Sequence, residues 1–316
     1  MKKQYSGYLA IVISALIFGF TPILAAISYS EGNNGINMAF LRAVIPIPFF
    51  LFISFRSFSP TGKQLRNGIL AGILSFGCTL LLYSSYEYIS PGLATTLHFL
   101  YPLYVAVINA IMKHHGLKKT TIAGLAFALV GIILFLEPNE LRENSNIEGY
   151  LLALGSGLVY ACYIIILEKE SADPLPLYHL MLIMSVTGAV LCGAVGLLAG
   201  KLTVISSGRG WLFAGATAFL TAIVACVLFQ NGVRKTGGTN AAIFSLLEPI
   251  SSVLFSILLL GESLSIRSAV GCGMILLGLA IIFAYNIRKK RKTHITMRWR
   301  WHPKTGMKKK RILKSL

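Results

Sequence analysis

NAAIFSLLEPISSVLFSILLL, residues 240–260, is long and apolar enough to cross a bilayer, yet it places Glu248-Pro249 near its middle. A carboxylate at that depth is costly and marks a functional site by default. Wound at 100° per residue, the segment gathers Asn240, Ser245, Glu248, Ser251, Ser252 and Ser256 within one arc of about 160°. Nearly all of the opposite face is Ile, Leu, Val and Ala. One face therefore points at protein or water and the other at lipid.

The pattern recurs earlier in the chain. Residues 90–131 align without a gap on residues 237–278 at a constant offset of 147, which pairs Pro102 with Pro249, Gly124 with Gly271 and Gly131 with Gly278. The opening GYLAIVISAL from Gly7 returns as GYLLALGSGL from Gly149. An internal repeat of this length sets the architecture before any single element does.

Composition gives the class. Of 316 residues 55% are hydrophobic and 13% charged, and the mean hydropathy is +0.71, values foreign to a soluble domain. The five cysteines fall inside apolar spans, with no CxxC pair, and read as reduced packing residues. The net charge of +18 sits largely in residues 286–316, which hold 13 Lys/Arg and no acid. A basic tail on a membrane protein meets anionic lipid headgroups rather than nucleic acid. The N-terminal run exceeds a signal-peptide core of about 7–15 residues and recurs inside the chain, so it reads as a retained first helix.

Ten spans suit a hydrocarbon core of about 30 Å: 7–29, 36–55, 67–87, 91–112, 120–136, 148–167, 177–199, 210–231, 239–260 and 267–285. With the N-terminus inside, 24 of the 29 Lys/Arg fall on cytoplasmic segments and 4 on outer loops, with Arg42 within a span, as the positive-inside rule expects. The loop LEKESADP dissents with three acids, which weigh little in that rule. Five spans per repeat is odd, so the second half enters from the opposite side. Inverted repeats are a common plan of secondary transporters, with the site near the midplane. The expected fold is an all-α integral membrane protein of ten transmembrane helices in two inverted five-helix repeats. Residues 1–146 and 147–285 form the repeats, 286–316 form a basic cytoplasmic tail, and both termini lie on the cytoplasmic side of the cell membrane.

AAIFSLLEPISSVLFSILLLGESLS (241–265), LATTLHFLYPLYVAVINAIM (93–112) and FLRAVIPIPFF (40–50) together resemble the EamA-type, ten-helix members of the drug/metabolite transporter superfamily. The resemblance covers residues 7–285. It implies a transporter of small metabolites with cytoplasmic termini, often an exporter. The chain departs from a symmetric version of that plan: Tyr101 stands at the repeat position of Glu248, and His114-His115 at that of Gly261-Glu262.

The pathway residues expected from the sequence are Glu248, Arg42, His98, Asn240, Ser245, Ser252, Tyr101 and Thr95, with Pro102 and Pro249 as helix kinks. Glu248 suits a protonatable coupling group or the partner of a substrate amine; alternatively it hydrogen-bonds backbone that the proline frees. Arg42 lies about 9 Å below the outer end of its span at 1.5 Å per residue. It suits a carboxylate substrate or an acid such as Glu248, or else it snorkels to the headgroups. Thr95, His98 and Asn109 share a stripe about 60° wide at that same winding. His98 reads as a proton relay or as a hydrogen-bonded interior residue. Glu87, Glu137 and Glu262 sit at span ends and read as interfacial or solvated. Tyr83, Tyr86, Tyr101, Tyr104 and Tyr160 suit an amphipathic solute or ordinary packing, and RWRW in the tail suits an interface.

The leading expectation is a secondary transporter of a small organic solute, coupled to protons and acting in export, without a cofactor or metal, and able to form a homodimer. The substrate classes left open are an amino acid, another small metabolite and a cationic amphipathic compound. GxxxxGK[ST] is absent, which argues against direct use of ATP. An intramembrane enzyme is the rival class, though HExxH and GxSxG are also absent. A third possibility is a non-transporting membrane partner recruited through the tail.

Overall fold

A computed structural model describes residues 2–55, 58–85, 88–89, 91–112, 119–134, 147–170, 174–260, 266–267 and 269–282, and among these every regular element is helical. Tyr86, Glu87, His114-His115, Glu137, Glu262 and the tail 286–316 lie outside the described residues, as does the side chain of Ser256.

In the first half, α1 spans Lys2–Ser30, α2 Gly35–Val44, α3 Pro46–Ser54, α4 Gly62–Ser85, α5 Pro91–His98, α6 Tyr101–Met112 and α7 Lys119–Leu134. In the second, α8 spans Ile147–Glu170, α9 Leu177–Leu198 and α10 Gly208–Ala218. A π-helical segment, Phe219–Ala225, leads into α11, Cys226–Thr236. There follow α12, Gly238–Phe244, α13, Leu247–Leu260, and α14, Ala269–Ile282. Eight of these helices or continuous helix groups are long and apolar enough to cross a membrane, and α7 and α14 are shorter apolar helices. Large apolar side chains such as Leu9, Phe52, Ile133, Leu158, Val190 and Leu212 stand exposed on the outside, the surface of a protein solvated by lipid rather than water.

Local chemistry accounts for where helices start and break. Asn34 and Ser207 cap α2 and α10 by accepting the amides of Asn37 and Gly210, each at 2.9 Å. Gly237, at φ +86°, turns the chain between α11 and α12 where a side chain would be strained. The spans expected at 91–112 and 239–260 are each interrupted, at Phe99-Leu100 and Ser245-Leu246. Both breaks come just ahead of the repeat-related Pro102 and Pro249, which cannot donate to the preceding turn. The span expected at 148–167 runs on to Glu170, because its terminal acids find partners described below.

The halves are interleaved. Helix α1 packs on α10, the π segment and α11, while its repeat counterpart α8 packs on α4. Helices α7 and α14 meet crosswise: a Cβ at Gly124 would lie 2.8 Å from the Gly278 carbonyl oxygen, and one at Gly131 would lie 2.6 Å from that of Gly271. Position rises along one helix as it falls along the other, so the pair is antiparallel. Small residues let the two backbones touch. The main core joins both halves through Ile11, Tyr101, Tyr163, Ile164, Leu180, Phe229 and Ile243.

Candidate functional site

A cavity of about 1010 Å³ lies between the halves. Its lining draws on α1 (Phe18, Gly19, Thr21), α2 (Arg42), α4 (Ser75, Cys78, Thr79, Tyr83), α5 (Thr95, His98) and α8 (Tyr160). The rest of the second half adds Thr217, Thr221, Cys226, Phe229 and, from α13, Glu248, Pro249 and Ser252. At one end it reaches Asn34 and Lys201, which lie beside each other in the connections α1–α2 and α9–α10, the Asn34 amide donating to the Lys201 carbonyl at 2.8 Å.

Glu248 sits in the first turn of α13, immediately after the break. The Ser245 carbonyl, which Pro249 cannot engage, accepts the Glu248 amide at 2.9 Å. The freed backbone is thus satisfied by backbone, and the Glu248 carboxylate has no hydrogen-bond partner among the described residues. Gly19 lets α1 close on this turn: a Cβ there would lie 2.7 Å from the Glu248 carbonyl oxygen and 2.8 Å from the Ser252 amide. The contact is pinned by the Ser251 hydroxyl donating to the Ala15 carbonyl at 3.0 Å.

Arg42 points into the bundle rather than toward its end. Its Nη1 donates to the Tyr83 hydroxyl at 3.0 Å, and its buried Nε has no partner among the described residues. A buried donor left unpaired costs about 1–3 kcal/mol, more when charged. Arg42 and Glu248 share the cavity wall but make no direct ion pair among the described residues.

His98 closes α5 at the first break. Its Nδ1 lies 2.9 Å from Ser156 Oγ, and that hydroxyl lies 2.6 Å from the Ala153 carbonyl oxygen. The serine has one proton, and the close carbonyl can only accept, so the hydroxyl donates to Ala153 and receives from Nδ1–H. The neutral imidazole therefore carries its proton on Nδ1 and keeps Nε2 as an acceptor. Tyr160 packs into this corner, its ring tilted against His98 with centroids 5.3 Å apart and edge-on to Tyr101 at 4.8 Å.

Of the residues singled out in the sequence, Glu248, Arg42, His98, Ser252, Thr95 and Pro249 are brought together on the cavity wall. The other four lie behind it. The Tyr101 hydroxyl is 2.6 Å from Ser245 Oγ in the packed seam between the broken helices. Asn240 donates to the Thr236 carbonyl at 2.8 Å, and Pro102 is buried in α6. Sequence reasoning passed over Thr217 and Thr221, spaced one turn apart in an apolar span. Each hydroxyl donates to the carbonyl four residues back, at 2.8 and 2.7 Å. Thr221 lies in the π segment, a wound-out turn of the kind often found at functional sites.

Away from the cavity, a polar cluster ties α6, α8, α11 and α12 together. Glu168 accepts from the Gly238 amide at 3.1 Å and from Asn109 at 3.4 Å, and Asn109 also reaches Thr239 at 3.2 Å. Glu170 is paired with Arg234 at 2.8 Å and accepts the Leu175 amide at 2.8 Å. These are two of the three acids that stood out in LEKESADP, the third, Asp173, lying outside the described residues. They are interhelical ties, not loop charges.

Comparison with known proteins adds the following. A model of the EamA-like transporter family matches residues 5–137 and again 147–284, one match for each half. A protein of Archaeoglobus fulgidus described as an uncharacterized transporter is 25% identical over 278 residues, 87% of this chain and 95% of its own. A Salmonella typhimurium protein described as a probable amino-acid metabolite efflux pump is 22% identical over 302 residues, 91% of this chain and 98% of its own. A protein crystal structure superposes with a TM-score of 0.72 at 18% identity, covering 89% of this chain and 97% of that one. At that identity the likeness speaks for the fold alone.

Proposed function

The chain belongs to the EamA-like transporter family and is a multi-pass membrane transporter rather than an enzyme, and from that premise we propose that it is a secondary transporter carrying a small organic solute across the cytoplasmic membrane by alternating access. Ten spans in two inverted sets of five suit this reading. The crosswise contact of Gly124 with Gly278 and Gly131 with Gly271 supports it, because each glycine meets the repeat equivalent of the other across an antiparallel helix pair, as a two-fold relation between the halves requires.

The observation that carries the proposal is the cavity between the halves. Arg42 from the first half and Glu248 from the second face it without neutralising each other. The end of the cavity at Asn34 and Lys201 belongs to the outer side when both termini are cytoplasmic. The cluster of Asn109, Glu168, Gly238, Glu170 and Arg234 then closes the inner side. In this reading the inner cluster and the Asn34–Lys201 end are the two closures that part in turn as the site is exposed to one side and then the other. Glu248, a carboxylate without a hydrogen-bond partner on that wall, suits a proton-coupling role, and export is the direction proposed. The basic tail 286–316 suits anionic headgroups.

The test is solute exchange by purified protein in proteoliposomes, with flux in both directions compared with protein-free vesicles. Exchange by this protein alone supports the proposal. Correctly inserted protein that exchanges no solute from a broad panel, yet turns over a lipid or peptide, would place it with intramembrane enzymes instead.

A further inference from the structure

The cavity extends toward Asn34 along the seam between α1 and α4. Thr21, Ala25 and Tyr29 line it from α1, about one turn apart, and Thr79, Leu82 and Tyr83 line it from α4. The offset that pairs Gly7 with Gly149 carries Thr21 and Ala25 onto Tyr163 and Leu167 of α8. The offset that pairs Pro102 with Pro249 carries Thr79, Leu82 and Tyr83 onto Cys226, Phe229 and Gln230 of α11. The chain corners follow the same matching. The Asn33 side-chain amide donates to Ser28 Oγ at 3.1 Å, and at the equivalent positions the Leu175 backbone amide donates to Glu170 at 2.8 Å.

The counterpart seam, between α8 and α11, is filled. Tyr163, Cys226 and Phe229 still line the cavity, but Leu167 and Gln230, each 1% exposed, occupy the space beyond them. One turn further along α11, Arg234 pairs with Glu170. Gln230 is poorly suited to a permanent place in this packing. Its Nε2 donates to the Tyr163 hydroxyl at 3.2 Å and otherwise meets the Met184 sulfur, a weak acceptor, at 3.3 Å. Its buried Oε1 has no partner among the described residues. A leucine would fill the same space without stranding an acceptor. A polar side chain kept at such a place within the membrane marks a path.

Resting on the transport reading and naming a residue of its second access route, we propose that the solute passes to the inner side between α8 and α11, and that the Gln230 amide is the polar contact it meets there. When Glu170 and Arg234 part, Tyr163 and Gln230 separate with them, and this seam becomes the counterpart of the one lined by Thr21 and Tyr83. The stranded Oε1 then accepts from the solute or from the water that accompanies it. The two halves thus place different chemistry at equivalent positions, a phenol on the outer stretch and a carboxamide on the inner one.

The test uses the full-length protein in proteoliposomes of known orientation, with its five native cysteines replaced. The membrane-impermeant thiol reagent sulfonatoethyl methanethiosulfonate is applied to one side at a time. Gln230→Cys is expected to react from the inner side at least tenfold faster than Ile165→Cys, a buried position on the face of α8 turned away from Tyr163. Tyr83→Cys is expected to react from the outer side. Should Gln230→Cys insert poorly, Leu167→Cys reports on the same seam. Seam cysteines that react no faster than Ile165→Cys, or only from the outer side, overturn the proposal. The same vesicles are assayed for exchange of labelled leucine, citrate and tetraphenylphosphonium. Exchange with an unreactive seam removes this route and leaves the transport reading standing, whereas no exchange and no reaction at any introduced cysteine removes both. For whichever probe is exchanged, Gln230→Leu is expected to raise the half-saturating concentration at least fivefold from the inner side and less than twofold from the outer. Equal changes on the two sides would make Gln230 a packing residue and overturn its assignment as a contact.

Discussion

The hydroxyl of Tyr101 lies 2.6 Å from Ser245 Oγ, so the two broken helices of the two halves are joined beside their breaks. Ser245 also bonds back to the carbonyls of Ala241 and Ala242, each at 3.0 Å. The serine therefore keeps partners when the phenol is removed, and only one buried hydrogen bond is lost. Tyr101→Phe is expected to lower stability by about 0.5–1.5 kcal/mol, read as a small fall in the thermal unfolding midpoint in detergent. Loss of expression altogether would show that the seam carries more than this bond.

Removing the Glu248 charge leaves its helix intact, because the carboxylate contributes no hydrogen bond to the break. Glu248→Gln is expected to insert and unfold like the native chain while its initial transport rate drops at least tenfold, a transition-state loss of about 1.4 kcal/mol or more. Native rates that depend on an imposed proton gradient, and variant rates that do not, would assign it the coupling role. Full activity in the variant would remove Glu248 from the mechanism.

The largest stability loss is expected at Arg234. Its partner Glu170 has 2% side-chain exposure, and Arg234→Met would leave that carboxylate buried with only the Leu175 amide, costing about 3–5 kcal/mol. Pairing the change with Glu170→Leu should restore most of the loss, since the stranded charge is gone. A double variant as unstable as the single would mean that the arginine acts by packing and not by charge.

Gly19 and Gly77 make a matched pair. A methyl group at Gly19 would press on the Glu248 carbonyl and the Ser252 amide, whereas nothing lies within 4 Å of one at Gly77. Gly19→Ala is expected to push α1 off α13, lowering both transport and stability, by about 1–3 kcal/mol for overpacking. Gly77→Ala should leave both unchanged or slightly improve stability, helix propensity favouring Ala by roughly 1 kcal/mol. Equal effects at the two sites would argue against the close contact.

The inverted arrangement is open to labelling from each side of the membrane. Thr61 and Ser206 are exposed residues in the connections α3–α4 and α9–α10, which occupy the same place in the two repeats. In a background with the five native cysteines replaced, Thr61→Cys should react only with reagent applied to the cytoplasmic side and Ser206→Cys only with reagent outside. Reaction of both from one side would reverse the topology of one half.

Much of the fold was legible because a bilayer constrains sequence so strongly. Each of the ten expected spans overlies a helix or an interrupted helix, and the repeat found by aligning Pro102 with Pro249 reappears as breaks at matching places. Part of the site was legible for the same reason: Glu248 in an apolar span is expensive enough to stand out. Thr217 and Thr221 carried no such signal, since a hydroxyl can bond to its own helix and is cheap in lipid. Asn240 and Tyr101 stood out equally as polar residues, yet both are turned to packing partners, because helical periodicity gives a face and not what that face meets.

Taken alone, the chain determined that it is helical, membrane-embedded, repeated and broken at two prolines, because hydrophobic length, period and the missing proline amide are properties of neighbouring residues. Only the tertiary structure decided that Arg42 turns to Tyr83 and faces the same cavity as Glu248, that Ser156 sets which nitrogen of His98 carries the proton, and that Glu168 and Glu170 tie helices together. Those partners lie tens to hundreds of positions apart in the chain, and packing rather than local pattern chooses among them.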